Sequence, residues 1–313
     1  MDTHTALFDR LRPRLQGIAY RMLGSVADAE ELVQDVWLRW HAADRATLAQ
    51  PEAWLVTVTT RLAIDRLRSA QAQRAHYVGF WLPEPWLDDE EPRPAAHVDL
   101  PATPEALLER ADDISMAFLA LLERLGPEAR AAFLLREVFD ADYAEVAQAL
   151  GKSEAACRQI VSRAKAQLKA DRPRQSVSPA QHQRLLAGFA DAAREGDFAR
   201  LQALLAEDAE LISDGGGVVA SFGKVLAGGR RIAQLYHAVW RRSERDHTEQ
   251  RIELVRLNGQ WGLLRFIGGQ LESAQGLETD GQRITRIHTQ RNPEKLRHIA
   301  RAWAEAAQRR GGR

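Results

Sequence analysis

The stretch DYAEVAQALGKSEAACRQIVSRAKAQLK, Asp142–Lys169, decides how the chain is organised. Asp142 stands three residues before Glu145, the spacing of a capping box that opens a helix. Val146 and Leu150 face inward from that helix. Gly151 supplies the turn, because glycine tolerates a positive φ. Ser153 suits the cap of a second helix. Along that helix Ala156, Ile160, Ala164 and Leu168 recur every four residues and predict its buried stripe. Cys157 reads as a packed thiol beside the stripe rather than a reactive one. Arg158, Gln159, Ser162, Arg163 and Lys165 lie off it, with side chains able to bond base edges or neutralise phosphates. Two capped helices, a glycine turn and a basic outer face together predict a helix-turn-helix.

Working outward, residues 5–70 and 105–170 read as helices. Phe8, Leu11, Leu15, Ile18, Met22 and Leu23 recur at helical spacing until Gly24-Ser25. A second helix is expected from about Ala27 to His41, with Leu32, Val33, Val36, Trp37 and Trp40 on its apolar face. A third starts at Pro51, which suits a first helical turn. Residues 71–104 are rich in proline and hold the acidic run Asp88–Glu91, so they read as a linker. From about 178 the periodicity becomes mixed. Strands are expected near 208–213, 247–257, 260–267 and 282–289, a helix near 229–242, and a last helix after Pro293.

The 313 residues predict two or three domains. With 43 basic and 43 acidic side chains the net charge is zero. The segment 151–174 is nevertheless strongly basic, and local field governs nucleic-acid binding. One cysteine excludes a disulfide framework or a cysteine metal cluster. No metal-ligand spacing appears, so no metal and no cofactor are expected. No apolar run is long enough to span a membrane, and the first residues carry no apolar leader, which points to a cytoplasmic protein.

The helix-turn-helix, with LLERLGPEARAAFLLREVF (121–139) before it, resembles region 4 of the sigma-70 family in its extracytoplasmic-function branch. AYRMLGSVADAEELVQDVWLRW (19–40) and PEAWLVTVTTRLAIDRLRS (51–69) resemble region 2. The resemblance implies a multidomain protein: region 2 over 1–70, the linker over 71–104, region 4 over 105–172 and a further domain over 178–305. It implies that Asp28, Glu30, Glu31, Gln34 and Asp35 meet the RNA polymerase core, at the clamp helices of β′, with the β subunit a further partner. Arg61, Arg66 and Arg68 would touch the minus-10 DNA, and the loop Ala43–Gln50 would hold a flipped base. Arg158, Gln159 and Ser162 would read the minus-35 element, with Arg163, Lys165 and Lys169 on phosphates.

The third region, above all residues 182–217, resembles the SnoaL-like branch of the NTF2-like fold, an α+β cone. A sub-group of these sigma factors carries that extension, marked by a WLPEP linker, a DGGGK loop and an NPEKL motif. Here they are Trp81-Leu82-Pro83-Glu84-Pro85, Asp214-Gly215-Gly216-Gly217, and Asn292-Pro293-Glu294-Lys295-Leu296. Val218 stands where the sub-group has lysine, and Lys224 is the nearest replacement charge. The resemblance implies regulation in cis, with two prolines pre-setting an extended segment and Trp81 as its anchor. Among possible acid/base residues, His288 ends a late strand, while Asp246 and His247 as strand neighbours point to opposite faces. Catalysis is not expected; a small-molecule ligand in the cone is the stronger option.

The expected function is therefore a promoter-specificity subunit of RNA polymerase, not an enzyme. The competing reading is a SnoaL-like cyclase, isomerase or ligand-binding domain fused to a DNA-binding regulator that acts without polymerase core.

Overall fold

The computed structural model describes residues 3–44, 48–74, 77–88, 115–169 and 177–311. These fall into two compact units. One holds 3–44, 48–74 and 118–169; the other holds 77–88, 115–117 and 177–311.

The first unit is helical. α1 (Thr3–Leu23), α2 (Val26–Ala42) and α3 (Pro51–Arg74) form the first bundle. Leu15, Ile18, Met22, Leu32, Val36, Trp40, Leu55 and Leu67 bury fully in it. Ser25 caps α2, its hydroxyl accepting from the Asp28 amide. α3 runs to Arg74, past the expected start of the linker at 71. The second half is built from α4 (Met116–Leu122), α5 (Pro127–Phe133), a π-helical turn at Leu134–Val138, α6 (Tyr143–Leu150) and α7 (Glu154–Lys169). Asp142 and Glu145 make the capping box, and Gly151 ends α6 at φ 64°.

The buried stripe of α7 is Cys157, Val161, Ala164 and Leu168, with Ala156 and Ile160 at its edge. The expected stripe drifts because four-residue steps advance about 40° each on a helix of 3.6 residues per turn. The observed one alternates steps of four and three and holds its direction. Cys157 lies in the core rather than beside it, and burial pushes its thiol pKa up.

The second unit is α+β. α8 (Pro179–Glu195) and α9 (Phe198–Leu204) precede β1 (Leu205–Asp214), the short β2 (Leu226–Ala227) and α10 (Gly229–Arg245). β3 (Gln250–Leu257), β4 (Gln260–Ile267), β5 (Gln270–Thr279), β6 (Ile284–Gln290) and α11 (Pro293–Gly311) follow. The sheet order is β2-β1-β6-β5-β4-β3, with β1 and β6 parallel and the other pairs antiparallel. Leu211, Leu263, Leu277 and Ile287 on one face pack with Leu186, Phe189, Ile232 and Tyr236 of the helices. Val255, Leu264, Phe266 and Ala274 on the other pack under Leu296, Ile299 and Trp303 of α11, with Leu87 beside them.

β5 had no counterpart in the sequence reading. QLESAQGLET lacks the β-branched alternation that announces a strand; its pairing with both β4 and β6 makes it one. Asp246 and His247 are not on a strand. They close α10, His247 at φ 48°, and β3 starts at Gln250.

Candidate nucleic-acid interface

The outer face of α7 carries Arg158, Gln159, Ser162, Arg163 and Lys165, all exposed. Arg158 donates to Glu154 at 2.7 Å and lies 5.0 Å over the Tyr143 ring, on which Arg136 also stacks at 5.2 Å. Lys165 reaches Glu137 at 2.7 Å. The side chain of Lys169 lies outside the described residues. The face is a row of donors on a rigid, capped helix, the chemistry that phosphates and base acceptors require.

The three expected minus-10 arginines of α3 are engaged within the first unit. Arg61 donates to the carbonyls of Ala149 (3.0 Å) and Gln148 (2.8 Å), satisfying the C-terminal end of α6. Arg68 bonds Glu128 at 2.8 Å, and Glu128 also pairs with Lys152 at 3.2 Å. Arg66 turns to α2, donating to the Asp28 carbonyl, Glu31 and Asp35. It thus joins one expected minus-10 residue to three of the expected polymerase-binding ones, while Glu30 and Gln34 stay exposed. Of the loop 43–50, residues 45–47 lie outside the described set.

Two further arginines hold the two halves of this unit together. Arg130, with no exposed surface, donates to the carbonyls of Leu122 and Met22 and to Glu123. Arg74 bonds the Leu23 carbonyl and the same Glu123. Both cap the negative end of α1.

In the second unit the three motifs meet at one carboxylate. Asp214 is fully buried. Its Oδ1 accepts from the Tyr77 hydroxyl (2.6 Å) and the Gly216 amide (2.9 Å). Its Oδ2 accepts from the Leu82 amide (2.8 Å), Lys295 Nζ (2.7 Å) and Gln290 Nε2 (3.2 Å). Lys295 also donates to the Leu82 carbonyl at 2.7 Å and sits 4.2 Å from the centre of the Trp81 ring. Asn292 donates to the Tyr77 hydroxyl and accepts from the Glu294 amide at the start of α11. Gly216, at φ 65°, is required: a Cβ there would lie 2.3 Å from Asn292 Nδ2. Burial, then the bond to Asp214, raises the Tyr77 pKa well above its ordinary value, so the hydroxyl stays a donor.

The segment 77–88 is a strap on this unit. Leu82–Pro85 are buried, whereas Trp81 is half-buried and acts as a lid over Lys295. Further on, Leu87 forms a β-bridge with Leu257. The Trp86 amide donates to Asn258 Oδ1, and the Asn258 amide donates back to the Trp86 carbonyl. Asp88 accepts from the Gly259 amide. Asn258 and Gly259, at φ 52° and 76°, form the β3–β4 hairpin turn that presents these groups.

Val218 is 66% exposed, and Lys224 is exposed without an ion pair among the described residues. The cation beside Asp214 comes instead from the third motif, as Lys295. Tyr77 and Gln290 belong to no motif and completed the node unannounced; both were polar residues beside a motif. His288 Nε2 meets Glu278 at 2.8 Å, while its Nδ1 has no partner. The cavity there, about 10 Å3 and lined by Met116, Trp261 and Gly276, holds at most one water.

The family models of sigma-70 region 2 and sigma-70 region 4 match residues 7–73 and 115–168. The chain is 38% identical over 229 residues to the ECF RNA polymerase sigma factor SigJ of Mycobacterium tuberculosis, covering 72% of this chain and 70% of that one. The chain belongs to the extracytoplasmic-function sigma factors. A probable sigma factor of the same family, SigI of M. tuberculosis, is 29% identical over 94% of this chain and 95% of its own. The crystal structure of M. tuberculosis SigJ superposes with a TM-score of 0.70 at 30% identity, covering 93% of this chain and 98% of that one. This sigma factor thus has its two helical regions followed by an α+β domain, and the six-stranded sheet fits the SnoaL-like extension. Its partners are the polymerase core and promoter DNA; the reading as a regulator independent of polymerase is not favoured. Among the described residues, no helix is long and apolar enough to cross a membrane, and no cluster of ligating side chains could hold a metal.

Proposed function

We propose that this sigma factor works in the cytoplasm, and that its C-terminal domain governs promoter use by holding the segment that joins regions 2 and 4. The observation that carries this reading is the capture of residues 77–82 by Asp214 and Lys295. A segment tied by a buried ion pair and backbone bonds restricts the two chain ends that leave it. In this reading Glu30, Gln34 and the Arg66-bound Asp28, Glu31 and Asp35 face the polymerase β′ clamp helices, and the β subunit is a further contact. A carboxylate-rich face complements a basic partner.

Arg61 and Arg68 serve in turn as ties to region 4 and as minus-10 contacts, so promoter engagement competes with their bonds to Gln148, Ala149 and Glu128. Arg66 can reach DNA only by leaving α2. Arg158, Gln159 and Ser162 read the minus-35 element, with Arg163, Lys165 and Lys169 on phosphates. A small-molecule signal for the C-terminal domain would have to open the packed sheet face, since the cavity by His288 is too small for one.

The test is run-off transcription with purified core, comparing the full chain with Lys295→Met and Asp214→Asn. Changed promoter output at unchanged core affinity is the expected result. Unchanged output from both variants sinks regulation through this node.

A further inference from the structure

α10, GRRIAQLYHAVWRRSER, carries five arginines and one acid, Glu244. At about 100° per residue, Arg230, Arg231, Arg241, Arg242 and Arg245 fall within an arc of roughly 120°. Ile232, Ala233, Tyr236 and Ser243, all buried, lie on the opposite side. The arginines are therefore all exposed, and so are Gln234 and Ala238 between them in the same arc. Glu244 points outside it. Arg242 and Arg245 share Asp246, just past the helix end. Arg230, Arg231 and Arg241 have no ion pair among the described residues.

We propose that this arginine face binds the phosphate backbone of duplex DNA, giving the C-terminal domain a DNA contact of its own. Three observations select DNA over an acidic protein surface. Every cation is a guanidinium, whose planar fork matches phosphate oxygens bidentately. The cations form two groups, roughly 15 Å apart along the axis at 1.5 Å per residue, which suits phosphates on either side of a groove about 12 Å wide. Between the groups stand Gln234 and Ala238, one a neutral donor and one too small to hold the backbones apart. Such contact is sequence-independent, and it adds grip without entering promoter choice.

The test is the salt dependence of binding to a 30-base-pair mixed-sequence duplex by the full chain with core polymerase. Each phosphate contact contributes about 0.9 to the slope of log affinity against log salt. The variant R230A/R231A/R241A is expected to lower the slope by about 2 to 3, and R230K/R231K/R241K to keep it. All three side chains are exposed, and circular dichroism checks that both variants fold. An unchanged slope overturns the proposal, as does an equal loss in the lysine variant. A drop in core affinity with the slope intact assigns the face to an acidic protein surface and overturns it too.

Discussion

Lys295 places its ammonium 2.7 Å from Asp214, a carboxylate with no exposed surface, and under the ring of Trp81. The pair ties the first helical turn of α11 to the end of β1 and to the strap. Removing one member of a buried pair leaves a bare charge, which costs about 3–5 kcal/mol, whereas removing both costs much less. Lys295→Met should therefore lower the melting temperature of the full chain more than the double variant Asp214→Asn/Lys295→Met does. Calorimetry decides this; strictly additive losses would refute the coupling.

Gly276 on β5 offers a second, independent check on the packing of this unit. A Cβ there would stand 2.9 Å from the Cβ of Met116. Overpacking of this kind costs about 1–3 kcal/mol. Gly276→Ala should destabilise, and part of that loss should be recovered in a Met116→Gly chain, which lacks the clashing Cβ that alanine would keep. Denaturant titration of the single and double variants measures the recovery, and its absence would show that Met116 moves aside without cost.

How much of this could be read from residues alone depends on the distance between partners. The capping box of Asp142 and Glu145, the glycine turn and the helical spans are local, and the sequence states them within a few residues. The three motifs are also visible, but their meeting at Asp214 is set by pairs more than seventy residues apart. Proline content marks the segment after α3 as an extended linker with Trp81 as an anchor, but which residues receive it, and that Leu82 is buried and Leu87 packed by the sheet domain, is set by distant partners. The tie that Arg61 makes to the end of α6 is not legible in the sequence, because it spans 88 positions. β5 escaped notice because its neighbours, not its own composition, make it a strand.

Acid should weaken the sheet domain through Glu278. Burial alone would raise its pKa, but the bond and charge of His288, with Arg286 beyond, bring it below the ordinary glutamate value. A depressed folded-state pKa means stability that is complete above the unfolded value, near 4.3, and is lost as pH falls through the folded one. Glu278→Gln should thus be less stable than the parent at pH 7. Its stability should change less between about pH 5 and 3, where the parent carboxylate takes up its proton. Melts across that range test both, and parallel pH curves would remove Glu278 from the account.

Glu128 holds Arg68 of α3 and Lys152 beside the α6–α7 turn at once. These are exposed bonds, worth about 0.2–1 kcal/mol each. If promoter DNA competes for Arg68, Glu128→Gln should strengthen duplex binding by the holoenzyme roughly 1.5- to 5-fold, following 1.4 kcal/mol per tenfold. Weaker or equal binding would mean that Arg68 does not exchange partners.

Arg158 and Arg163 share the outer face of α7 but should fail in different ways. Arg158 is steadied by Glu154 and by the ring of Tyr143, which limits how its guanidinium can be presented. A side chain held in this way suits bidentate contact with one base. Arg158→Ala should therefore cost about 1–3 kcal/mol against the preferred minus-35 sequence and flatten the preference at one position. Arg163 has no such support among the described residues. Arg163→Ala should weaken all sequences alike and reduce the salt slope by about 1. Binding to a panel of single-base minus-35 variants separates the two patterns. If Arg158→Ala lowers every sequence equally, it is a phosphate contact, and base reading passes to Gln159 and Ser162 on the same face.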